Sequence, residues 1–363
     1  MNIEEDNEST IFVSIPSYRD PECPRTLQDL YKKARYPERI YSLVNQQNYP
    51  EDQSATNFPG SGRYQRNIRL YQVPANEAKG PIVARAQIEQ NLYSKGEADY
   101  WLQVDSHMAF VKDWDVSMIQ QHSMLPDPNH GAITTFPPDF RQTSRQVPRL
   151  SLPTFIGLHD FSKTRQFPQQ QRYMFRSFPK APRKSLFYSA GFVFGPGEMV
   201  EEVPYDINCN YLFLGEEISM NARLYTHGYD LFAPLTSLVY HLSSRAYRPT
   251  FWEQLHKKNA KANPKTRAER QMAEQLALQR LQNMLFFGEN PGDGFGLGKK
   301  RTLQQFEDFI GVDLQNQVAT PRSKLGIVEN APDEEWVEKY GVQREQWEIA
   351  LRNLQPLVPP KNI

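Results

Sequence analysis

The chain has 363 residues, which suffices for one large domain with an appendage or for two domains. Its 42 basic and 42 acidic residues balance, and no run approaches about 18 apolar residues, so we expect neither a nucleic-acid partner nor a membrane span. Two cysteines, Cys23 and Cys209, are too few for a disulfide framework and favour a reducing compartment such as the cytoplasm.

Strands and helices alternate along the first part of the chain. Residues 11–15 predict a buried strand, the polar turn 16–20 follows it, and Pro24 opens a predicted helix. Further strands are predicted at 39–44 and 68–73. This order is typical of a nucleotide-binding α/β sheet, in which ligands bind at the carboxyl ends of the strands.

A short loop, Lys79 and Gly80, leads into a helix that Pro81 is predicted to begin. The amino end of a helix attracts anions, and Lys79 and Arg85 would add positive charge there. An ordinary capped helix with solvated charges would have the same sequence.

The apolar run 100–104 is the right length for a buried strand, and it ends abruptly in Asp105, Ser106 and His107. In an extended segment, side chains two residues apart point to the same side, so Asp105 and His107 would lie together at the mouth of the sheet. A carboxylate with an imidazole suits an ion such as Mn²⁺, which could grip a diphosphate. Alternatively, Asp105 caps a turn and His107 is an ordinary half-buried histidine.

After a predicted helix at 115–122 and a strand at 131–136, the segment 141–184 changes character. It contains ten basic residues, one acidic residue, and several prolines and glutamines. One interpretation is a mobile loop that closes over a nucleotide or recognises the acceptor. The other is a solvent-exposed segment without a functional role.

Acidic and imidazole side chains recur in the next elements. A strand at 190–195 is followed by a helix that begins with Glu216 and Glu217, which are either dipole partners of the helix or site residues. The extended segment 230–241 ends in His241, a candidate third metal ligand, although most lone histidines are not ligands.

The remainder of the chain is predicted to be mainly helical, over 251–287, 302–310 and 333–340. These helices could pack on the preceding domain or form a homodimer. The predicted organisation begins with a short flexible leader at 1–9 and a catalytic domain at 10–255, which contains the basic segment 141–184. A helical region at 256–345 and a tail at 346–363 follow. The short leader suggests that no anchoring domain precedes the catalytic one.

Seven motifs in order resemble the polypeptide α-N-acetylglucosaminyltransferases, a family that includes the cytoplasmic hydroxyproline GlcNAc-transferase modifying the adaptor of SCF-type ubiquitin ligases. The motifs lie at residues 11–20, 77–85, 105–108, 110–115, 202–206, 213–217 and 223–230. The Asp-Ser-His sequence and the later Gly-Glu-Glu are also similar to mucin-type polypeptide GalNAc-transferases.

The resemblance implies a GT-A fold, a Rossmann-like mixed central sheet flanked by helices, with a helical C-terminal extension. It implies Mn²⁺ (or Mg²⁺) on Asp105, His107 and His241, and catalytic positions at Glu216 and Glu217. The UDP-sugar donor would contact the first strand end, the loop before Pro81 and the metal motif, at Ser17, Tyr18, Arg19, Lys79, Gly80, Arg85 and Asp105.

The expected activity is metal-dependent, retaining transfer of GlcNAc from UDP-GlcNAc to a protein hydroxyl, on hydroxyproline, serine or threonine. One alternative is another donor sugar or a glycan acceptor. Another, of a different class, is a non-catalytic protein that binds nucleotide sugars. Neither front-face attack nor double displacement is favoured by the sequence.

Overall fold

The computed structural model describes residues 8–261, 264–326 and 328. Most of the predicted leader 1–9, the predicted helix 333–340 and the predicted tail 346–363 lie outside these residues. Among the helices within the described ranges, none combines the length and apolarity that crossing a bilayer requires.

The strands fall into one large sheet and three small pairs. In chain order they are β1 (Ile11–Tyr18), β2 (Ile40–Asn48), β3 (Ile68–Pro74), β4 (Tyr100–Val104), β5 (Met108–Phe110), β6 (Gly131–Thr134), β7 (Thr154–Phe161), β8 (Pro168–Met174), β9 (Arg183–Lys184), β10 (Phe192–Pro196), β11 (Asp230–Ala233), β12 (Val239–His241), β13 (Val312–Asp313) and β14 (Val318–Ala319).

Helices cover the sheet and continue after its last strand. They are α1 (Cys23–Lys33), α2 (Pro81–Leu92), α3 (Trp114–Ser123), α4 (Glu198–Glu202), α5 (Glu216–Thr226), α6 (Phe251–Lys261), α7 (Pro264–Phe287), α8 (Leu303–Ile310) and α9 (Pro321–Lys324). The α8 helix begins with a capping box, in which Thr302 and Gln305 satisfy each other's backbone N–H groups.

The central sheet has eight strands in the order β3-β2-β1-β4-β10-β6-β11-β9. Strands β3, β2, β1 and β4 run parallel, whereas β10 is antiparallel to both β4 and β6. The expected mixed Rossmann-like sheet of the GT-A class is therefore confirmed, with the carboxyl ends of β1, β2 and β4 at one edge.

Strand β1 is buried along most of its length because both faces of the sheet are covered. Phe12 packs into one hydrophobic core, while its neighbours Ile11, Val13 and Ile15 pack into the other. Strand β4 divides in the same way, with Trp101 in the first core and Leu102 in the second. The two-residue period of each strand thus distributes its apolar side chains between two cores.

Three predicted segments differ from the observed elements in their organisation. The extended segment 230–241 is two strands, because the chain leaves the main sheet after β11 and β12 pairs with β5 instead. The segment 141–184 is not a continuous loop but contains the antiparallel hairpin β7–β8 and the short strand β9. Strand β10 begins two residues later than predicted, which leaves Gly191 outside it.

Candidate active site

A cavity of about 630 Å³ opens at the carboxyl ends of β1 and β4. The strand ends form its floor, the start of α5 forms one side, and the β7–β8 hairpin forms another. The segment that leads from β12 into α6 completes the rim. The site therefore lies where the sheet order predicts that ligands bind in an open α/β fold.

Asp105, His107 and His241 meet in this cavity, with one ligand atom from each lying within 4.8 Å of the others. The antiparallel pairing of β12 with β5 places His241 opposite Met108, next to His107. The Nε2 atoms of His107 and His241 are 3.0 Å apart, and His241 Nε2 lies 3.5 Å from Asp105 Oδ2. The structure therefore brings together the three residues proposed as metal ligands.

The spacing of these atoms fits a divalent cation. Two ligands at right angles around an ion, with bonds of about 2.1 Å, lie about 3.0 Å apart, as the two imidazole nitrogens do. One carboxylate and two imidazoles form a mixed donor set, which leaves coordination positions open for oxygen atoms of a substrate. The residues present therefore fit the ion that the sequence motif predicts.

The environment of Asp105 favours the ionised form that a metal ligand requires. Burial acts to raise the pKa of this carboxyl, but the hydrogen bond from His241 and the positive charge of Arg85 outweigh it, so the pKa lies well below its usual range. A side chain on Gly191 would reach within 3.1 Å of Asp105 Oδ2, so the glycine leaves room for this carboxylate.

Arg85 joins the metal-ligand motif to the start of α5. Its Nη2 donates to Asp105 Oδ1 at 3.1 Å and to the Ala190 carbonyl at 3.0 Å, while Nη1 donates to Glu216 Oε1 at 2.7 Å. Arg85 and Glu216 are almost completely buried. Burial alone would lower the pKa of Arg85, but the charges of Glu216 and Asp105 raise it, so the guanidinium stays charged and holds both carboxylates.

Glu217, the second acidic residue of α5, faces the same cavity but has a different environment. Its Oε1 accepts a hydrogen bond of 3.1 Å from the Ala190 N–H, and within the described part of the chain it forms no ion pair like that of Glu216 with Arg85. Desolvation raises the pKa of Glu217 to about 8, and the negative charge of Glu216 adds to this effect. At neutral pH the Glu217 side chain therefore carries a proton.

The predicted donor contacts divide into two groups. Ser17, Tyr18 and Gly80 line the cavity together with Arg85 and Asp105. Arg19 does not line it, because its side chain points to Asp52 and forms a two-point ion pair at 2.7 and 2.9 Å. The Lys79 side chain is also absent from the cavity wall, although its backbone carbonyl accepts a hydrogen bond from Tyr211.

Several residues around the cavity were not predicted as site residues. Asp20 is buried against His107, and a carboxylate just past the end of β1 could have been noticed by the same strand-end rule that singled out Asp105. His159 and Gln170 of the hairpin, and Phe251 and Trp252 of α6, line the cavity itself, whereas Asp20 lies behind His107. Their contribution depends on long-range packing, for which the sequence has no local pattern.

The sequence of the chain matches the model of one protein family over most of its length. The family described as Glycosyltransferase (GlcNAc) matches residues 10–61 and 58–316. A search of curated proteins gives no significant match.

Three solved structures that match the chain have low sequence identity to it. A structure of GalNAc-T7 with UDP, GalNAc and Mn²⁺ is 14% identical with a TM-score of 0.48, over 99% of this chain and 60% of that one, so the chain spans about 60% of its length. A Pyrobaculum calidifontis mannosyltransferase with GDP-Man and Mn²⁺ is 14% identical (TM-score 0.40; 78% and 76% covered). S. aureus TarS with UDP-GlcNAc is 11% identical (TM-score 0.41; 76% and 72% covered).

Proposed function

The chain belongs to the GlcNAc glycosyltransferase family, and from that premise we propose that it transfers GlcNAc from UDP-GlcNAc to a protein hydroxyl, with retention of configuration and with Mn²⁺ or Mg²⁺. The acceptor would be hydroxyproline, serine or threonine. The observation that carries the proposal is the group of Asp105, His107 and His241 within 4.8 Å in a large cavity at the sheet edge. Such a ligand set suits diphosphate chemistry.

Binding of the donor follows from the charges around the cavity. An ion held by Asp105, His107 and His241 would neutralise the diphosphate and stabilise the charge that grows on it as the sugar bond breaks. Arg245 lines the cavity near these ligands and offers its guanidinium group to phosphate oxygens, whereas Arg248 is held by Asp20 and by the Tyr18 carbonyl. Arg85 is engaged with Asp105, Glu216 and a carbonyl, so we assign it the task of holding the carboxylates in place.

The environments of the two glutamates favour front-face attack over double displacement. Glu216 is held in an ion pair with Arg85, and Glu217 keeps its proton at neutral pH. A nucleophile in a double displacement must be an ionised carboxylate with an oxygen that can reach the sugar carbon. We therefore propose that these residues orient the reacting groups, while the leaving phosphate accepts the proton of the acceptor hydroxyl.

The acceptor side of the cavity is proposed to lie between the hairpin and the aromatic rim. His159 and Gln170 belong to the hairpin, and Phe213, Phe251 and Trp252 lie at the mouth. Trp252 packs edge-on against both phenylalanines, with ring centres 6.1 and 4.7 Å away. An apolar shelf facing a side-chain amide offers both ring packing and hydrogen bonding to a peptide acceptor.

Three further properties remain proposals. Cytoplasmic localisation is supported by the two cysteines, both of which are buried and free. The homodimer and the division into a catalytic domain at 10–255 and a helical region at 256–345 remain as predicted.

The competing candidate of another class is a protein that binds nucleotide sugars without catalysis. Such a binder has no need for a complete metal-ligand group, so the clustering of Asp105, His107 and His241 weighs against it. A transferase with another donor sugar or a glycan acceptor would keep the same metal ligands and differ in its contacts to the sugar or to the acceptor.

Donor hydrolysis without an acceptor separates these candidates. A panel of UDP- and GDP-sugars is incubated with the full chain, with and without Mn²⁺ and chelator. We expect turnover of UDP-GlcNAc that is lost with chelator and in Asp105→Ala. Turnover of another sugar would overturn the donor assignment, and binding of UDP without any turnover, also after addition of acceptor peptides, would favour the non-catalytic candidate.

The assignment of the acceptor side is tested by replacing the hairpin, residues 154–174, with a short glycine linker. We expect transfer to a peptide acceptor to fall much more than donor hydrolysis does. Equal losses of the two activities would mean that the hairpin serves the donor or the fold.

A further inference from the structure

Asp20 is a completely buried carboxylate next to the proposed metal ligands. Its Oδ2 lies 2.8 Å from His107 Nδ1 and accepts a hydrogen bond of 2.6 Å from Ser106 Oγ. Its Oδ1 accepts from the Glu22 backbone N–H at 2.9 Å and from the Tyr247 hydroxyl at 3.2 Å. Because hydrogen-bond donors surround the Asp20 carboxylate, its oxygens act as acceptors. The proton shared between Asp20 and His107 is therefore assigned to His107 Nδ1.

From this geometry we infer that Asp20 is the positioning residue of the metal centre, an inference that rests on the proposed metal dependence. By holding the proton on Nδ1 of His107, Asp20 leaves the lone pair on Nε2, the atom that faces His241 and Asp105. Metal-binding histidines are commonly oriented by a carboxylate in this way, and loss of that partner typically weakens metal binding by about 10–100-fold.

Asp20 also contacts the part of the cavity rim that follows β12. Tyr247 and Arg248 follow β12, and the Arg248 Nε lies 3.3 Å from Asp20 Oδ2. The same arginine donates from Nη1 to the Tyr18 carbonyl at 3.2 Å, at the end of β1. The Asp20 carboxylate therefore orients His107 and also anchors the segment that connects His241, at the end of β12, to α6.

The network predicts that asparagine is a poor substitute for Asp20. The Glu22 N–H and the Tyr247 hydroxyl both require an acceptor, so the amide oxygen would take the Oδ1 position. The amide NH₂ would then face His107 Nδ1, which must accept a hydrogen bond and shift its own proton to Nε2. The wrong tautomer would present an N–H where the ion needs a lone pair.

The test measures Mn²⁺ affinity directly, without any donor or acceptor. Mn²⁺ is titrated into the full chain and followed by calorimetry and by electron paramagnetic resonance of the free ion. We expect Asp20→Asn and Asp20→Ala to raise the Mn²⁺ Kd by about 10–100-fold, with asparagine at least as damaging as alanine. Tyr247→Phe, which removes only one donor to Asp20, should have a smaller effect.

Asp115→Asn is the matched control, because Asp115 is also a buried carboxylate that accepts two hydrogen bonds, from the backbone N–H groups of Arg35 and Tyr36. It should lower the thermal transition of the metal-free protein but leave the Mn²⁺ Kd unchanged.

Two negative outcomes are distinguishable. If the wild-type chain does not bind Mn²⁺ or Mg²⁺, the proposed metal dependence fails. If the wild type binds but folded Asp20→Asn, Asp20→Ala and Tyr247→Phe all retain its affinity, Asp20 is only a structural residue and the positioning role is wrong.

Discussion

Glu217→Gln should change how the stability of the protein depends on pH. The folded chain raises the pKa of Glu217 to about 8 from its ordinary value of 4.5, mainly by burial. Above pH 4.5 the unfolded chain loses this proton, whereas the folded chain keeps it until about pH 8. Rising pH therefore favours the unfolded state, and the stability that this group contributes is lost across that window.

The magnitude follows from the linkage between protons and folding. One proton held only by the folded state lowers the free energy of unfolding by about 1.4 kcal/mol per pH unit. Between pH 5.5 and 7.5 the wild type should lose about 3 kcal/mol through Glu217 alone. Glutamine keeps the neutral shape and cannot ionise, so Glu217→Gln should become more stable relative to the wild type by that amount.

Urea unfolding at half-unit pH steps, in chelator, measures this difference. Glu89→Gln should behave in the same way, since burial raises the pKa of Glu89 to about 8 as well. Glu253→Gln is the opposite control, because the pKa of this exposed carboxylate is lowered and it stays ionised throughout the range. Parallel stability curves for the wild type and Glu217→Gln would refute the assignment of a protonated Glu217 in the folded state.

Three other variants test separate parts of the site. His241→Ala should raise the Mn²⁺ Kd at least about tenfold in calorimetry, because one of three ligands is lost; an unchanged titration would exclude His241 as a ligand. Arg85→Lys should lower stability by about 1–3 kcal/mol in urea unfolding and slow donor turnover, since a single ammonium cannot span the three acceptors that the guanidinium reaches. Gly157→Ala should destabilise the protein by about 1–3 kcal/mol, because its methyl would clash with the Lys324 carbonyl, whereas Gly62→Ala, with no atom of the described residues within 4 Å, should be neutral in the same assay.

The elements of the catalytic half could be predicted because their patterns are local. The apolar run of β4 stops at Asp105, and the acidic pair at 216–217 stands where α5 begins. Both features follow from side-chain periods and helix-end preferences that operate over a few residues. The hairpin β7–β8 was not predicted, because the glutamine-rich strand β8 has a face on the cavity and neither strand has a clean apolar alternation.

Local sequence patterns were enough to predict an alternating α/β chain, the strand ends that carry polar side chains, and the candidate ligands Asp105 and His107. The partners of these residues follow from the three-dimensional packing. His241 reaches His107 across 134 residues through the pairing of β12 with β5, and Glu216 reaches Arg85 across 131 residues. The same packing places Asp20, which was not predicted, next to His107. It directs the side chain of Arg19, which was predicted to contact the donor, toward Asp52 instead. Such contacts depend on strand order and register, which are set by the burial of both sheet faces at once rather than by any local run of residues.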